Sequence, residues 1–291
     1  MAKLRLKRNE SFNIREGWLS KGLREVENNA AVFTQENAMD VLGMGSKMVK
    51  SLRFWMQAAG LTSENNSGRR LQQLTSLGRA VREYDPYFED LFTLWIVHYN
   101  IAKNSELCYA WNYFFNRYGD SEFTREDFYE SAKHEADLVS EEAYSHKSLR
   151  DDCNSVVRMY CAQEKRHSDP EDNLSSPFSE LGLVRRSGRE KGAYNKCTPY
   201  KIKLDRLAVL YVILDAMGEG QSSISIEKIL KEENNAGRIF NLNKVILNEY
   251  LDELRAAGYI SINRTAGLDM VYKGEGTEKD DILTEYYRQQ Q

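Results

Sequence analysis

The sequence predicts a mainly α-helical chain. It places a winged helix-turn-helix at the amino-terminal end, a helical domain in the middle and a winged-helix-like domain with small β-wings at the carboxyl end. Three observations carry this. Apolar residues recur at helical spacing through most of the 291 residues. Glycines end helical runs at Gly43-Met44-Gly45, Gly60 and Gly258. Short alternating runs then follow the last helix of each end module.

In chain order, a short helix over Asn37–Leu42 ends at the Gly43-Met44-Gly45 turn, whose glycines are free to adopt positive φ. Ser46 is placed to cap a second helix running to Ala59, with Met48, Leu52, Trp55, Met56 and Ala59 on the inner face. The opposite face carries Ser46, Lys50, Arg53 and Gln57, with Lys47 beside them. Leu61–Leu74 reads as a hairpin whose tip, Asn65-Asn66-Ser67-Gly68, precedes Arg69 and Arg70. A helix with cationic and amide groups on its free face, next to a basic hairpin, suits a DNA major groove and a flanking phosphate. The expected contacts with double-stranded DNA are Lys47, Lys50, Arg53, Gln57, Arg69 and Arg70. The plainer reading is a helical subdomain with a solvated basic face.

Residues 1–82 form this first module and 83–166 a helical scaffold. Within the scaffold, Leu91, Leu94, Trp95 and Val97–Tyr99 mark one apolar helix, and Leu107, Trp111, Phe114, Phe115 and Tyr118 the next. Thr124 and Asp127 have capping-box spacing for a third, and Glu141–Lys165 turns Leu149, Val156, Val157 and Tyr160 inward. Aromatic stripes at this spacing are core. Residues 167–203, broken by Pro170, Pro177, Gly182, Gly188, Gly192 and Pro199, read as a linker and basic arm, with a short strand near Leu181–Arg185.

Residues 204–291 repeat the winged-helix pattern. Leu204–Met217 is an apolar helix, Ser225 caps Ile226–Glu233, and Asn241 or Asn243 caps the helix that carries Ile246, Leu247, Tyr250, Leu251 and Leu254. Tyr259–Ile262 and Met270–Lys273 flank Thr265-Ala266-Gly267 as a wing. The outer face of that second helix carries Glu249, Asp252 and Glu253, which would repel phosphates. This module therefore suits a protein partner or a homodimer contact.

Charge is distributed unevenly. The chain has 40 basic and 44 acidic residues, yet residues 1–82 hold 14 Lys/Arg against 7 Asp/Glu, and residues 83–180 hold 9 against 21. Arg185–Arg206 adds 8 basic residues against Glu190 and Asp205. Attraction to a polyanion acts within a Debye length of about 8–10 Å, so a basic end on an acidic middle can bind DNA. No apolar run approaches the ~20 residues of a membrane span, so no membrane partner is expected. Met1–Arg8 is basic but precedes no apolar run, so no secretory leader is expected there. Cys108, Cys153, Cys161 and Cys197 lack metal-ligand spacing and are expected as reduced thiols in a cytoplasmic protein.

Three blocks resemble one bacterial family: Phe12-x-x-Arg15-x-Gly17-Trp18-Leu19-x-Lys21, Leu42-Gly43-x-Gly45-x-x-Met48-Val49-x-Ser51-Leu52-Arg53-x-Trp55, and Ser176-Pro177-Phe178-x-x-Leu181-Gly182-Leu183. It is the domain-of-unknown-function family encoded beside PAPS-reductase-like sulfurtransferases, which includes the SspB-type nicking component of DNA phosphorothioation systems. The resemblance covers most of the chain. It implies a DNA-nicking endonuclease of a bacterial defence and modification system, whose nick lets sulfur replace a non-bridging phosphate oxygen. It further implies a cysteine desulfurase, an ATP-pyrophosphatase-like sulfurtransferase and an ATPase as partners. A non-enzymatic winged-helix DNA-binding regulator or adaptor fits the same modules. Cutting a phosphodiester calls for carboxylates holding Mg2+ or Mn2+ beside a basic residue. Glu16, between Arg15 and Lys21, and Asp172, in Pro170-Glu171-Asp172, are the catalytic candidates. No HNH set and no well-spaced PD…ExK supports either, and each reads more readily as a surface carboxylate.

Overall fold

The described residues are mainly helical, 54% in helices against 11% in strands, and the strands gather into small antiparallel sheets. This computed structural model describes residues 4–65, 70–162, 176–218, 220–265 and 268–290. The chain divides into two units, Met1–Cys197 and Thr198–Gln291. The expected segments 1–82 and 83–166 lie in the first, and 204–291 in the second.

The first unit opens with an irregular segment followed by helix α1, Trp18–Asn28. Its N-cap, Gly17, has φ +74° and supplies no side-chain cap, so the helix has no local start signal. α2 (Ala38–Leu42) ends at Gly43, φ +60°, where the Met44 N–H reaches back to the Met39 carbonyl at 3.1 Å. α3 runs Ser46–Ala58. Ser46 was the expected cap; instead Gly45 takes the N-cap position in extended backbone, and no side chain caps the helix. The buried arc of α3 is also wider than one stripe, because Val49, Ser51, Phe54 and Ala58 join Leu52, Trp55 and Met56 inside. The helix is gripped from two sides. α1 packs along it, and Trp55 meets Trp111 of the helical block edge-on at 5.2 Å.

β1 (Thr62–Glu64) pairs antiparallel with β2 (Gln72–Leu74), Thr62 opposite Leu74. α4 (Ser76–Tyr84) follows, its Gly78 N–H donating to the N-cap Thr75 hydroxyl at 3.0 Å. Gly78 lies tight against the end of α3, where a Cβ would stand 2.1 Å from the Leu61 carbonyl oxygen.

The helical block comprises α5 (Leu91–Lys103), α6 (Tyr109–Asn116), α7 (Arg125–Val139) and α8 (His146–Tyr160). Asp90, Thr124 and Ser145 cap α5, α7 and α8, and Thr124 and Asp127 form the reciprocal box that their spacing predicts. Trp95, Trp111, Phe114, Phe115, Phe128 and Tyr160 are fully buried, so the aromatic stripes are core. Each such side chain contributes about 1.5–3 kcal/mol on burial. His98 is core as well, with Nδ1 2.8 Å from the Tyr160 hydroxyl.

β3 (Glu122–Thr124) precedes α7, and after a 3-10 turn (Pro177–Leu181) come β4 (Val184–Arg186) and β5 (Ala193–Lys196). They form one sheet in the order β3-β5-β4. Part of the stretch read as linker and basic arm is thus a hairpin built into the first unit.

The second unit contains α9 (Arg206–Met217), β6 (Ser223–Ser225), α10 (Ile226–Lys231), α11 (Ala236–Ile239), α12 (Lys244–Ala256), β7 (Ile260–Thr265), β8 (Leu268–Lys273) and α13 (Lys279–Gln290). β8 sits between β6 and β7, all antiparallel. Asp205, Ser225 and Asn243 cap α9, α10 and α12, which resolves the choice between Asn241 and Asn243. The four cysteines are free thiols. No helix among the described residues is long and apolar enough to cross a membrane.

Candidate nucleic-acid interface

The turn between α2 and α3 fixes what α3 can present. Gly43 reverses the chain, and the Lys21 ammonium, reaching across from α1, donates to the Leu42 carbonyl at 2.9 Å. That bond satisfies a carbonyl left open at the end of α2. The first turns of α3 then emerge with Ser46, Lys47 and Lys50 exposed. Neither lysine has a salt bridge among the described residues. Arg70, at the start of the return strand, is exposed with φ +51°. Arg69 lies outside the described residues, as does most of the hairpin tip.

Arg53 and Gln57 continue the same face but are half-buried and already engaged. Glu64 of β1 collects them. Its Oε2 accepts from Arg53 Nε at 3.1 Å and from a second, shorter Arg53 guanidinium N–H. It also accepts from Gln57 Nε2 at 3.0 Å and from Gln72 Nε2 at 2.7 Å. Gln72 in turn accepts from the Thr62 hydroxyl at 2.9 Å. Partial burial opposes the Glu64 charge, but the bonds from Arg53, Gln72 and Gln57 outweigh it and hold the carboxyl below its ordinary range. The network ties helix to hairpin. It also places one carboxylate within the basic face, which sequence reasoning did not anticipate. Its signal was present in hindsight: Glu64 is the acidic residue between Gly60 and Leu74 in a basic stretch.

The catalytic candidates are not brought together. Glu16 is exposed in the turn before α1. Arg15 lies over the rings of Phe12 and Trp18, 5.8 and 5.6 Å from their centroids, and Lys21 is committed to the end of α2. Asp172 lies outside the described residues. The adjacent carboxylates Asp151 and Asp152 of α8 are both engaged: Asp151 binds the Lys7 ammonium at 2.7 Å, and buried Asp152 accepts the Lys7 backbone N–H at 2.7 Å. Burial pushes Asp152 up to about 7 against the Lys7 N–H that favours its charge, and the Asp151 carboxylate raises it further. Among the described residues, no three His, Cys, Asp or Glu side chains converge as metal ligands.

In the second unit, two of the α12 carboxylates are neutralised locally. The Lys201 ammonium reaches Glu253 at 2.6 Å and Glu249 at 3.1 Å. Tyr200, Ile202 and Val245 stand exposed, Ile202 at 95%.

Comparison with known proteins adds a family. The model of a family described as a protein of unknown function, DUF4007, matches residues 6–287. A crystal structure of magnesium ion-bound SspB superposes with a TM-score of 0.87 at 27% identity, covering 97% of this chain and 88% of that one. A second SspB crystal structure gives 0.86 at 26%, with the same coverage. No curated protein matches the chain.

Proposed function

The chain belongs to the DUF4007 family, and from that premise we propose that it is the DNA-binding component of a bacterial DNA phosphorothioation system, nicking one strand so that sulfur can enter the backbone. The observation that carries this is the likeness to SspB along nearly the whole chain. The basic face of α3 and its hairpin supports the DNA-binding part. In this reading α1, α2, α3 and the hairpin act as a winged helix. Lys47, Lys50 and Arg70 contact the duplex directly, and Arg69 joins them. Arg53 and Gln57 reach DNA by leaving or sharing Glu64. The second unit is a winged-helix-like module that docks protein: a second copy of the chain through Tyr200, Ile202 and Val245, or the desulfurase, sulfurtransferase and ATPase of the same system.

The magnesium ion in the SspB crystal supports a divalent ion, Mg2+ or Mn2+, as the cofactor of nicking, with Glu16 or Asp172 among the carboxylates that serve it. The second reading is a non-enzymatic DNA-binding adaptor. It draws support from the structural employment of Arg15 and Lys21, which leaves Glu16 isolated in its motif.

Supercoiled plasmid incubated with purified protein and Mg2+ or Mn2+, against an EDTA control, separates the two. Metal-dependent open circle that is lost in Glu16→Gln or Asp172→Asn supports the nickase. Plasmid that is retarded but intact, with and without metal, supports the adaptor.

A further inference from the structure

The basic arm that the α3 face does not use brings Arg186 near one arginine from each of two helices, α7 and α8. Tyr194 on β5 lies directly across from Phe123 on β3 and Arg186 on β4, so the three side chains share one face of the sheet. Arg125, the first residue of α7, holds its guanidinium 5.5 Å from the Tyr194 ring centroid. Arg158, in the last turn of α8, is half-buried on the helix that packs against β4. It donates to the Ser155 hydroxyl at 3.1 Å, while its Nε is buried with no partner. On the other side of Ser155, Asn13 donates to the backbone carbonyl at 3.2 Å and leaves its own Oδ1 unpartnered.

Arg125 acts on Arg158, and Arg125 and Arg186 act on the same thiol. Burial lowers the Arg158 pKa and the like charge of Arg125 lowers it further, against a smaller opposing pull from the Asp151 carboxylate. Burial raises the Cys161 thiol, and the charges of both Arg186 and Arg125 pull it back. The described carboxylates nearby make their hydrogen bonds and ion pairs elsewhere. Asp151 pairs with Lys7, Glu126 with Arg150, Asp127 closes the Thr124 box, and Glu122 accepts from Ser187. Among the described residues no carboxylate forms an ion pair with Arg125, Arg158 or Arg186. Holding like charges together with no directly paired carboxylate is unfavourable unless an anion completes the site, and the planar guanidinium fork matches a phosphate.

We infer that Arg125, Arg158 and Arg186, arranged around Tyr194, form a second phosphate-binding site, which takes a backbone phosphate of the bound DNA away from the α3 face. A diester passing over the surface suits it better than an enclosed ligand, because Arg125 and Arg186 are exposed. The inference rests on the DNA-binding reading.

The test uses the full chain and a fluorescein-labelled duplex, with anisotropy titrations over a series of KCl concentrations. Wild type is compared with Arg125→Glu/Arg186→Glu and, separately, with Lys47→Glu/Lys50→Glu. Loss of two phosphate contacts flattens the log–log salt slope by about 1.8 and weakens binding roughly thirtyfold near 0.15 M salt. If the arginine variant matches wild type in slope and affinity while the lysine variant falls, the second site is overturned and the DNA-binding reading stands. If wild type shows no salt-sensitive affinity, the reading itself fails and takes the inference with it. Should charge reversal unfold the protein, Arg125→Gln/Arg186→Gln removes the cations without adding charge and must still flatten the slope.

Discussion

Glu64→Gln puts the architecture of the α3 face to its most direct test. In the native chain one carboxylate oxygen gathers Arg53, Gln57 and Gln72, with the Arg53 and Glu64 side chains 20% and 24% exposed. A charge-assisted bond of this kind in a partly solvated site is worth about 1 kcal/mol, between the values for exposed pairs and for buried charged bonds. Loss of that amount in a unit of this size lowers the melting temperature by about 2–4 °C. The amide keeps the shape of the network but no longer holds the guanidinium by charge. Arg53 then turns outward and adds a phosphate contact. That steepens the salt slope by about 0.9, a gain of roughly fivefold in DNA affinity near 0.15 M salt. Urea unfolding and anisotropy titration read the two effects separately. A stability loss with unchanged slope and affinity would refute the placement of Arg53 at the DNA. Tighter binding with unchanged slope would point to simple removal of a repelling charge. Because the Glu64 carboxyl is held below its ordinary range, the contribution of the pair is complete above about pH 4.3 and fades as pH falls through the lowered value.

Asp152 carries the opposite sign. Its folded-state pKa of about 7 lies above the unfolded value of about 3.9, so its contribution to stability is complete in acid and is lost as pH rises through 7, some 4 kcal/mol in all. Asp152→Asn keeps an acceptor for the Lys7 N–H, and denaturant unfolding at pH 5 and pH 8 should show a smaller difference than in wild type (about 3 kcal/mol smaller at most, since only the part of the linkage above pH 5 falls in this window); identical differences would contradict the assignment. Gly78→Ala forces a methyl against the Leu61 carbonyl and should cost about 1–3 kcal/mol, read as a lower denaturant midpoint; an unchanged midpoint would mean the α3–α4 junction relaxes freely. If the second unit mediates self-association, Ile202→Asp with Val245→Asp should shift the mass measured by light scattering to that of one chain, and a dimer that persists would place the contact elsewhere.

Legible in the sequence alone were the helical class, the Gly43 reversal, the Thr124–Asp127 box and the cap at Ser225, whereas the α12 cap stayed open between Asn241 and Asn243 until the backbone placed Asn243 there. Each of these rests on relations within one helical turn, three or four residues, where backbone geometry alone puts the groups in contact. α1 escaped notice because Gly17 starts it with no side-chain cap. The inner face of α3 was legible as a stripe, but its full width depended on which neighbours arrive from α1 and from Trp111. The free face was read as uniformly available until the fold brought Glu64 onto Arg53 from eleven residues away. Longer separations were further out of reach. Lys21 caps a carbonyl 21 residues on, and Asp152 takes an N–H from Lys7 at a separation of 145. Periodicity identified which residues are apolar or charged on a given face. Which charges remain open to a partner was decided by tertiary packing, because an ion pair or hydrogen bond forms wherever the fold brings donor and acceptor within reach.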